Sequence, residues 1–278
     1  MNKEISEIFQ DYRPEPQYPV YPPYHTGFYL EDYFYDWYCR NSIETDRVFI
    51  PVSWTTCYID QKTQGLQEAL NKLNPNDRYF TVSQYDDGIL ETLPPNTLHF
   101  SASNAGGIPI PAICSPLPHM PSTESKDILC SFVGSATHPI RIRMYETLAQ
   151  KENCIVHLKN WSPTVNQNDF QHFINIANRS KFLLCPRGYG LNSFRLYEAF
   201  QLGCVPVVIT DKFFLPWEEE LDWSEFAVLI CEEALNDVYD IISSIPDDYY
   251  HRMLQNAKKI YADYFSLPGM CKQIIKNL

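Results

Sequence analysis

The chain has 278 residues, and its 22 basic and 34 acidic side chains give a formal net charge of −12 at pH 7. This acidic balance excludes a protein that binds nucleic acid mainly through its phosphates, because such binding requires clustered Lys and Arg. Hydrophobic residues make up 45% of the chain, which excludes disorder over most of its length. The length predicts two modest domains or one large one.

No targeting segment is recognisable in the sequence. The first ten residues carry charges at positions 3, 4 and 7 and contain no apolar stretch typical of a signal peptide. The longest strongly apolar runs, such as 205–209, are far shorter than the roughly 18–20 residues of a membrane span. Nine scattered cysteines without a C-x-x-C pair favour reduced thiols. We therefore expect a soluble, cytoplasmic protein with no membrane span.

The first part of the chain predicts a parallel sheet. Two β-rich runs, 47–52 and 78–83, flank a segment with helical spacing at 61–73, and this alternation is typical of a β-α-β unit. Five prolines between positions 109 and 121 favour an extended path. We therefore place a domain boundary there and predict a first domain over 1–120.

The rest of the chain predicts a doubly wound α/β domain over 121–246, followed by a helical C-terminal segment over 247–278. On the first of the helices below, the spacing places Ile142, Tyr145 and Leu148 on one face. Predicted strands are 127–133, 154–158, 181–185, 204–209 and 225–230, and predicted helices are 139–150, 169–178, 193–202, 234–243 and 247–265.

The segment 184–199 carries the strongest chemical signal. It predicts a strand, a loop with two glycines, and a helix capped by Asn192 or Ser193. The exposed N–H groups of a helix N-terminus favour anions, so this junction is suited to a diphosphate, and the Glu198 carboxylate is suited to two ribose hydroxyls. The alternative is an ordinary strand–loop–helix junction in which Arg187 and Glu198 form a salt bridge.

The same segment resembles the exostosin family, glycosyltransferase family 47. That family shows the pattern P-R-G-x-x-x-x-S-F-R-x-x-E-A, which residues 186–199 match, followed by the Gly-Cys-Val-Pro-Val of 203–207 and a loop containing Leu-Pro. The resemblance extends upstream to the Phe-Val-Gly of 132–134 with Arg141, and more weakly to 79–88. It is strong over about 180–232, moderate over 128–150 and loose over the first 120 residues.

The resemblance implies an α/β fold of the GT-B type, in which two Rossmann-like domains face a cleft. The second domain would bind a nucleotide sugar, the first would bind a glycan acceptor, and the C-terminal helix would return to the first domain. The implied activity is inverting transfer of a sugar, xylose in particular, from a UDP-sugar. The short chain resembles the stand-alone members of large DNA viruses and bacteria, and a viral chain would act in the host cytoplasm.

The donor site needs positive charge for the departing diphosphate. Because the sequence contains no D-x-D motif, we predict that no metal is required and that arginines act with a helix N-terminus. Arg141 and Arg187 are the first choices, whereas Arg195 could equally be a structural partner of Glu198. The residues predicted to bind the donor are Arg141, His138, Arg187, Gly188, Tyr189, Asn192, Ser193, Arg195 and Glu198.

The catalytic base has three candidates. Asp86 and Asp87 follow the strand at 78–83, where the cleft should open, and Asp87 is preferred; the alternative is that Asp-Asp-Gly is a plain turn. His25 is the rival candidate. Trp54 and Tyr58 are candidates for the acceptor site. Two other functions stay open, namely a glycoside hydrolase and a non-catalytic glycan-binding module with the same fold.

Overall fold

A computed structural model describes residues 3–13, 29–113, 117, 126–162 and 165–278. The described strands form two parallel sheets, one of four strands and one of five. The predicted division between residues 120 and 121 lies outside the described residues. Among the helices that are described, none combines the length and the apolar character that a bilayer span needs.

The first sheet has the order β1-β2-β3-β4, with all pairs parallel. The five residues of β2 are all buried, as the β-rich pattern predicts, whereas β3 and β4 were not predicted. The predicted helix at 61–73 is shorter in the structure, because Gly65 takes a φ of 77° and the helix begins only after it. The elements of this part are β1 (Val48–Phe49), β2 (Tyr79–Ser83), β3 (Thr97–Ser101), β4 (Ile108–Pro109), α1 (Lys3–Ile8), α2 (Leu30–Arg40), α3 (Trp54–Ile59) and α4 (Leu66–Leu70).

The second sheet has the order β6-β5-β7-β8-β9, again with all pairs parallel. Each strand predicted from the sequence is present, and all six residues of β8 are buried, as expected for a strand covered on both faces. Two Rossmann-like α/β units are therefore confirmed. The elements are β5 (Ile128–Ser135), β6 (Cys154–Lys159), β7 (Ser180–Pro186), β8 (Val205–Thr210), β9 (Val228–Cys231), α5 (Pro139–Leu148), α6 (Gln167–Asn178), α7 (Phe194–Gln201), α8 (Val238–Ser243) and α9 (Asp247–Ile260).

The buried face of α5 differs from the prediction. Ile140, Met144 and Leu148 are fully buried, whereas Ile142 and Tyr145 are 46% and 41% exposed. The three buried residues are spaced by four and pack with the core between α5 and the second sheet. The face predicted from Ile142 and Tyr145 is therefore wrong, and Leu148 is the one residue shared by both faces.

The C-terminal segment reaches back to the first sheet. A π-helical stretch at 261–265 follows α9 and leads into α10 (Leu267–Lys276), whose N-terminus is capped by Ser266. Helix α10 packs against α2, and Arg47 Nε donates a hydrogen bond of 3.1 Å to the carbonyl oxygen of Leu278. Within 247–278, α10 and Leu278 thus contact the first part of the chain, whereas α9 packs against α7 and β8.

Candidate active site

A cavity of about 200 Å³ lies where the carboxyl ends of the two sheets face each other. The first sheet contributes Asp86, Ser103 and Ala112, which follow β2, β3 and β4. The second contributes the ends of β5 and β6, the loop after β7, and residues of α6 and α7. The chain order of the second sheet reverses between β5 and β7, and ligands of open α/β sheets bind at such a reversal. The cavity therefore lies where the topology predicts a ligand.

Arg141 holds together the two strand ends at this reversal. From the first turn of α5, its guanidinium donates to the carbonyl oxygens of Ser135 (2.8 Å), Pro186 (3.1 Å) and Arg187 (2.9 Å). These bonds use three of the five N–H donors of the guanidinium. Burial, followed by the charge of Arg195, lowers the pKa of Arg141 to about 10, so the group stays positive at neutral pH. A fixed positive charge therefore lines the cavity.

The loop after β7 is tied to both sheets. The Leu191 N–H donates to the carbonyl oxygen of Ser103 (2.8 Å), which follows β3. Asn192 has a structural role, because its amide contacts the Tyr197 hydroxyl (3.0 Å) and its Oδ1 accepts from the Ser193 N–H (2.9 Å). A Cβ at Gly190 would lie 2.5 Å from Asp86 Oδ1 and 2.6 Å from Ser103 Cβ. Glycine therefore allows the loop to touch the first sheet.

Replacing Gly190 with Ala should lower kcat by about 10²-fold, because the added methyl group pushes Asp86 and Ser103 out of position. The matched control is Gly106→Ala, an exposed glycine where the added carbon meets one side-chain oxygen, at 3.0 Å. Steady-state kinetics of both variants against the unmodified protein test this expectation. Equal rates for Gly190→Ala and Gly106→Ala would contradict it.

Asp86 brings a carboxyl group into the cavity from the first sheet. It lies in the turn after β2, open to solvent through the cavity but closely surrounded by protein. Desolvation raises its pKa, with a smaller contribution from the charge of Asp87, whereas hydrogen bonds from Ser103 and the Gly190 N–H and the charge of Arg141 act to lower it. The result is a carboxyl group with a raised pKa that faces the cation of the second sheet.

Asp87 occupies the next position of the same turn and has a different environment. Both aspartates are exposed, but Asp87 is absent from the residues that line the cavity. The turn closes with a hydrogen bond from the Gly88 N–H to the Tyr85 carbonyl oxygen (3.0 Å), and Gly88 has a φ of 77°. Asp87 thus has the position of a turn residue. His25, the third candidate, lies outside the described residues.

Arg195 and Glu198 form an ion pair on the first turns of α7. The Arg195 guanidinium also donates two hydrogen bonds to the carbonyl oxygen of Val133 (3.1 and 2.9 Å) and lies 3.9 Å above the ring of Phe173. Glu198 is only 5% exposed. The partner of Glu198 is therefore Arg195, as one of the open alternatives proposed, and both residues line the cavity.

Arg187 and His138 lie outside the cavity-lining set. Arg187 instead pairs with Asp211 at the end of β8 (2.7 Å), and this hydrogen bond lowers the pKa of Asp211. Its predicted salt bridge to Glu198 is absent from the described structure. His138 caps α5 by accepting from the Ile140 N–H (3.3 Å), and its pKa is lowered by burial and then by the charge of Arg187.

The cavity thus brings together seven of the nine residues predicted to bind the donor. These are Arg141, Gly188, Tyr189, Asn192, Ser193, Arg195 and Glu198. Tyr189 is 64% exposed and so offers an open ring at the mouth of the cavity. The Ser193 side chain makes no capping hydrogen bond to α7. Most of the donor-binding residues predicted from the segment 184–199 therefore lie in this one cavity.

Other cavity residues were not predicted. Ser103 follows the unpredicted strand β3, in a serine- and glycine-containing run that resembles an ordinary loop. Thr137 lines the cavity with a buried hydroxyl that lacks a hydrogen-bond partner within the described residues. On the opposite wall, Lys159 at the end of β6 pairs with Asp169 of α6 (3.0 Å) beside the half-exposed Trp161. The sequence signal that could have identified these residues is a polar side chain at or shortly after the end of a strand.

Neither aromatic candidate for the acceptor site lines the cavity. Trp54 is fully buried and donates its indole N–H to the Thr81 hydroxyl (2.8 Å), so it is a core residue and its prediction as an acceptor contact is wrong. Tyr58 contacts the ring of Tyr85 at 4.7 Å between centroids, and its hydroxyl binds the carboxylate of Glu91. Burial raises the pKa of Tyr58, so its hydroxyl stays protonated.

Two parallel α/β sheets that face one cavity across their carboxyl ends define the GT-B class of fold. Five residues of the family pattern line that cavity together with Arg141 upstream of it, and they point to one family within this class: Gly188, Ser193, Phe194, Arg195 and Glu198. The family model described as the Exostosin GT47 domain matches residues 89–245, more than half of the chain. The chain belongs to the Exostosin GT47 family of glycosyltransferases.

Individual relatives match shorter segments. A probable glycosyltransferase of Arabidopsis thaliana is 31% identical over 140 residues, which are 50% of this chain and 26% of the relative. Exostosin-1 of Drosophila melanogaster is 36% identical over 97 residues (35% and 13%), and Exostosin-2 of Homo sapiens is 38% identical over 90 residues (32% and 12%). The matched segments thus span about a quarter or less of these relatives' lengths.

Solved structures show a more distant likeness. The crystal structure of TarM aligns with 77% of this chain and 52% of its own, with a TM-score of 0.46 and 10% identity. WaaG, a glycosyltransferase involved in lipopolysaccharide biosynthesis, aligns with 88% of this chain and 50% of its own, with a TM-score of 0.32 and 14% identity.

Proposed function

We propose that this protein is an inverting glycosyltransferase that moves a sugar, xylose in particular, from a UDP-sugar to a hydroxyl group of a glycan acceptor without a metal ion. The observation that carries the proposal is the placement of Asp86 and Arg141 in one cavity, the first from one sheet and the second from the other. Family membership supports the transfer of a sugar. The choice of donor and acceptor rests on the sequence resemblance alone.

On the acceptor side, Asp86 has the properties of a general base. As the acceptor oxygen attacks the anomeric carbon of the donor, the Asp86 carboxylate takes up the hydroxyl proton. A base with a raised pKa accepts a proton more readily, and the desolvation around Asp86 acts in this direction. The hydrogen bonds from Ser103 and Gly190 hold the carboxylate in place during this transfer.

On the donor side, the diphosphate gains negative charge as the bond to the sugar breaks. Arg141 places a partly buried positive charge beside it, and the N-terminus of α7 adds the favourable end of the helix dipole. The hydroxyls of Thr137 and Ser193 are available as hydrogen-bond donors at this end of the cavity. Glu198 lines the cavity, and its carboxylate would accept from the ribose hydroxyls while it keeps its ion pair with Arg195.

The charges around the cavity favour transfer over glycoside hydrolysis. A glycosidase needs two carboxyl groups that act on opposite sides of one glycosidic bond. Three carboxyl groups line this cavity, and two of them are in ion pairs, Asp169 with Lys159 and Glu198 with Arg195. Asp86 is thus the group best suited to proton transfer, and a single base is what an inverting transferase requires.

Titration of UDP into the protein by calorimetry, with EDTA present, tests nucleotide binding and metal independence together. We expect saturable binding that EDTA leaves unchanged. Within the described residues, no group of three or more His, Cys, Asp or Glu side chains could hold a metal ion. Loss of UDP affinity on addition of EDTA would overturn the metal-free proposal. A protein that binds no nucleoside diphosphate would overturn the proposed transferase function.

A panel of UDP-sugars, screened by thermal stabilisation, identifies the donor. A ligand at a hundredfold excess over its Kd stabilises the folded state by about 2.7 kcal/mol. We expect the correct donor to raise the melting temperature more than UDP itself does. The product linkage, read by NMR, then reports inversion. Sugar release from glycans without nucleotide would indicate a hydrolase, and glycan binding without turnover of any donor would indicate a binding module.

A further inference from the structure

Two cysteines outside the cavity lie side by side on neighbouring strands. Cys130 of β5 and Cys154 of β6 are direct partners in the parallel register, and their Sγ atoms are 3.3 Å apart. Adjacent strands lie about 4.7–4.9 Å apart, which is within the Cα separations that a disulfide spans. A small movement of the side chains therefore brings the two sulfur atoms to bonding distance.

The two thiols have different environments. Cys130 is fully buried, whereas Cys154 is partly exposed and can meet a reagent from solution. The hydrogen bond from Cys130 lowers the pKa of the Cys154 thiol, and the charge of Lys151 acts in the same direction. Lys151 is itself held over the ring of Tyr239, with its Nζ 5.1 Å from the centroid. An accessible thiol with a stabilised thiolate beside a buried second thiol is the arrangement of a redox-active pair.

We propose that Cys130 and Cys154 form a reversible intramolecular disulfide when the protein meets a small disulfide such as glutathione disulfide. The Cys154 thiolate attacks one sulfur of the reagent, forms a mixed disulfide and releases the first thiolate. Cys130 then attacks Cys154 Sγ, and its proton passes to the second thiolate, which departs as a thiol. Two protein thiols are oxidised and one reagent disulfide is reduced to two thiols.

This bond would join two strands whose carboxyl ends line the cavity. β5 ends at Ser135 and β6 ends at Lys159, and both residues belong to the cavity wall. The modification site itself is at the opposite ends of these strands, so it leaves the cavity residues chemically unchanged. The inference does not depend on the proposed glycosyl transfer and can fail without affecting it.

Peptide mapping tests the disulfide directly. The folded protein is incubated with glutathione disulfide, free thiols are blocked with iodoacetamide, and the chain is digested with trypsin. Cleavage releases 127–141 and 152–159, each with one cysteine. We expect a linked pair of these two peptides, lighter than the sum of the reduced pair by two hydrogen atoms and separated again by dithiothreitol.

Cysteine variants make the test specific. Cys154→Ser should abolish the linked peptide, whereas replacement of the exposed Cys39 and Cys231 by Ser should leave it unchanged. Cys130→Ser, with its fold checked by circular dichroism, should accumulate the glutathione adduct at Cys154. A stable adduct at Cys154 in the unmodified protein, or linkage only after denaturation, would overturn the proposal.

Discussion

The Asp86→Asn variant should transfer sugar about 10²–10⁴-fold more slowly than the unmodified protein, which is the range that a general base contributes. The amide keeps the shape of the side chain and cannot take up the acceptor proton. Because Asp86 belongs to the first sheet, we expect UDP affinity, measured by calorimetry, to stay within a few-fold of the original value. The loss of activity should therefore appear in kcat, while the affinity for UDP is retained.

The neighbouring Asp87→Asn variant is the matched control. It removes the same charge from the same turn, yet Asp87 does not line the cavity. We expect its kcat to stay within about tenfold of the original, since removal of a nearby charge changes only the pKa of Asp86. A severe loss in Asp87→Asn alone would assign the base to Asp87, whereas full activity of both variants would exclude both aspartates as the base.

The pH dependence of kcat gives a second readout for Asp86. Desolvation raises its pKa above the ordinary 3.8, so the carboxyl group becomes protonated at a higher pH than a free aspartate does. A protonated base cannot accept the acceptor proton, and the rate should fall as pH decreases through this raised pKa. The acid limb should disappear in Asp86→Asn, and an acid limb unchanged in that variant would belong to another group.

Local sequence patterns predicted the second sheet better than the first. All residues of β8 and all but one of β7 are buried, and such apolar runs are recognisable without knowledge of their neighbours. β3 is only partly buried, and β4 has two residues, one of them Pro109, so neither shows a clear period. Their strand conformation depends on pairing with β2 and with each other, which the linear sequence does not display.

The same distinction holds for the site. The donor half was predictable because most of its residues follow one another between β7 and α7, whereas the contact of Gly190 with Asp86 and Ser103 depends on how the two sheets meet. Arg187 matched the motif as well as Arg141 did. In the structure, however, the Arg187 guanidinium pairs with Asp211 at the end of β8, and Arg187 does not line the cavity.

Glu31 illustrates a polar role that the sequence conceals. It lies in the first turn of α2, where an acidic residue is normally exposed, yet it is only 3% exposed. Its carboxyl group accepts from the Thr55 N–H (3.0 Å) and the Gln84 N–H (2.6 Å), which joins the segments that follow β1 and β2. Burial raises the pKa of Glu31 to about 8. The turn that carries Asp86 begins directly after this buried contact.

Arg141→Lys should lower the free energy of unfolding by about 2–4 kcal/mol, because a lysine can replace at most part of the three hydrogen bonds to carbonyl oxygens, each worth about 1.5–3 kcal/mol with a charged donor. These carbonyl groups lie at the ends of β5 and β7, beside the cavity, so loss of the hydrogen bonds should also weaken UDP binding. Urea unfolding followed by circular dichroism measures the first effect, and calorimetry well below the transition measures the second.

Arg143→Lys is the control on the same helix, two residues further on. Arg143 is about half exposed and pairs with Glu232 at the surface, where ion pairs contribute about 0–1 kcal/mol. We expect this variant to unfold within about 0.5 kcal/mol of the original protein and to bind UDP equally well. If Arg141→Lys behaved like Arg143→Lys in both measurements, the three carbonyl contacts would not be what holds the donor half of the cavity together.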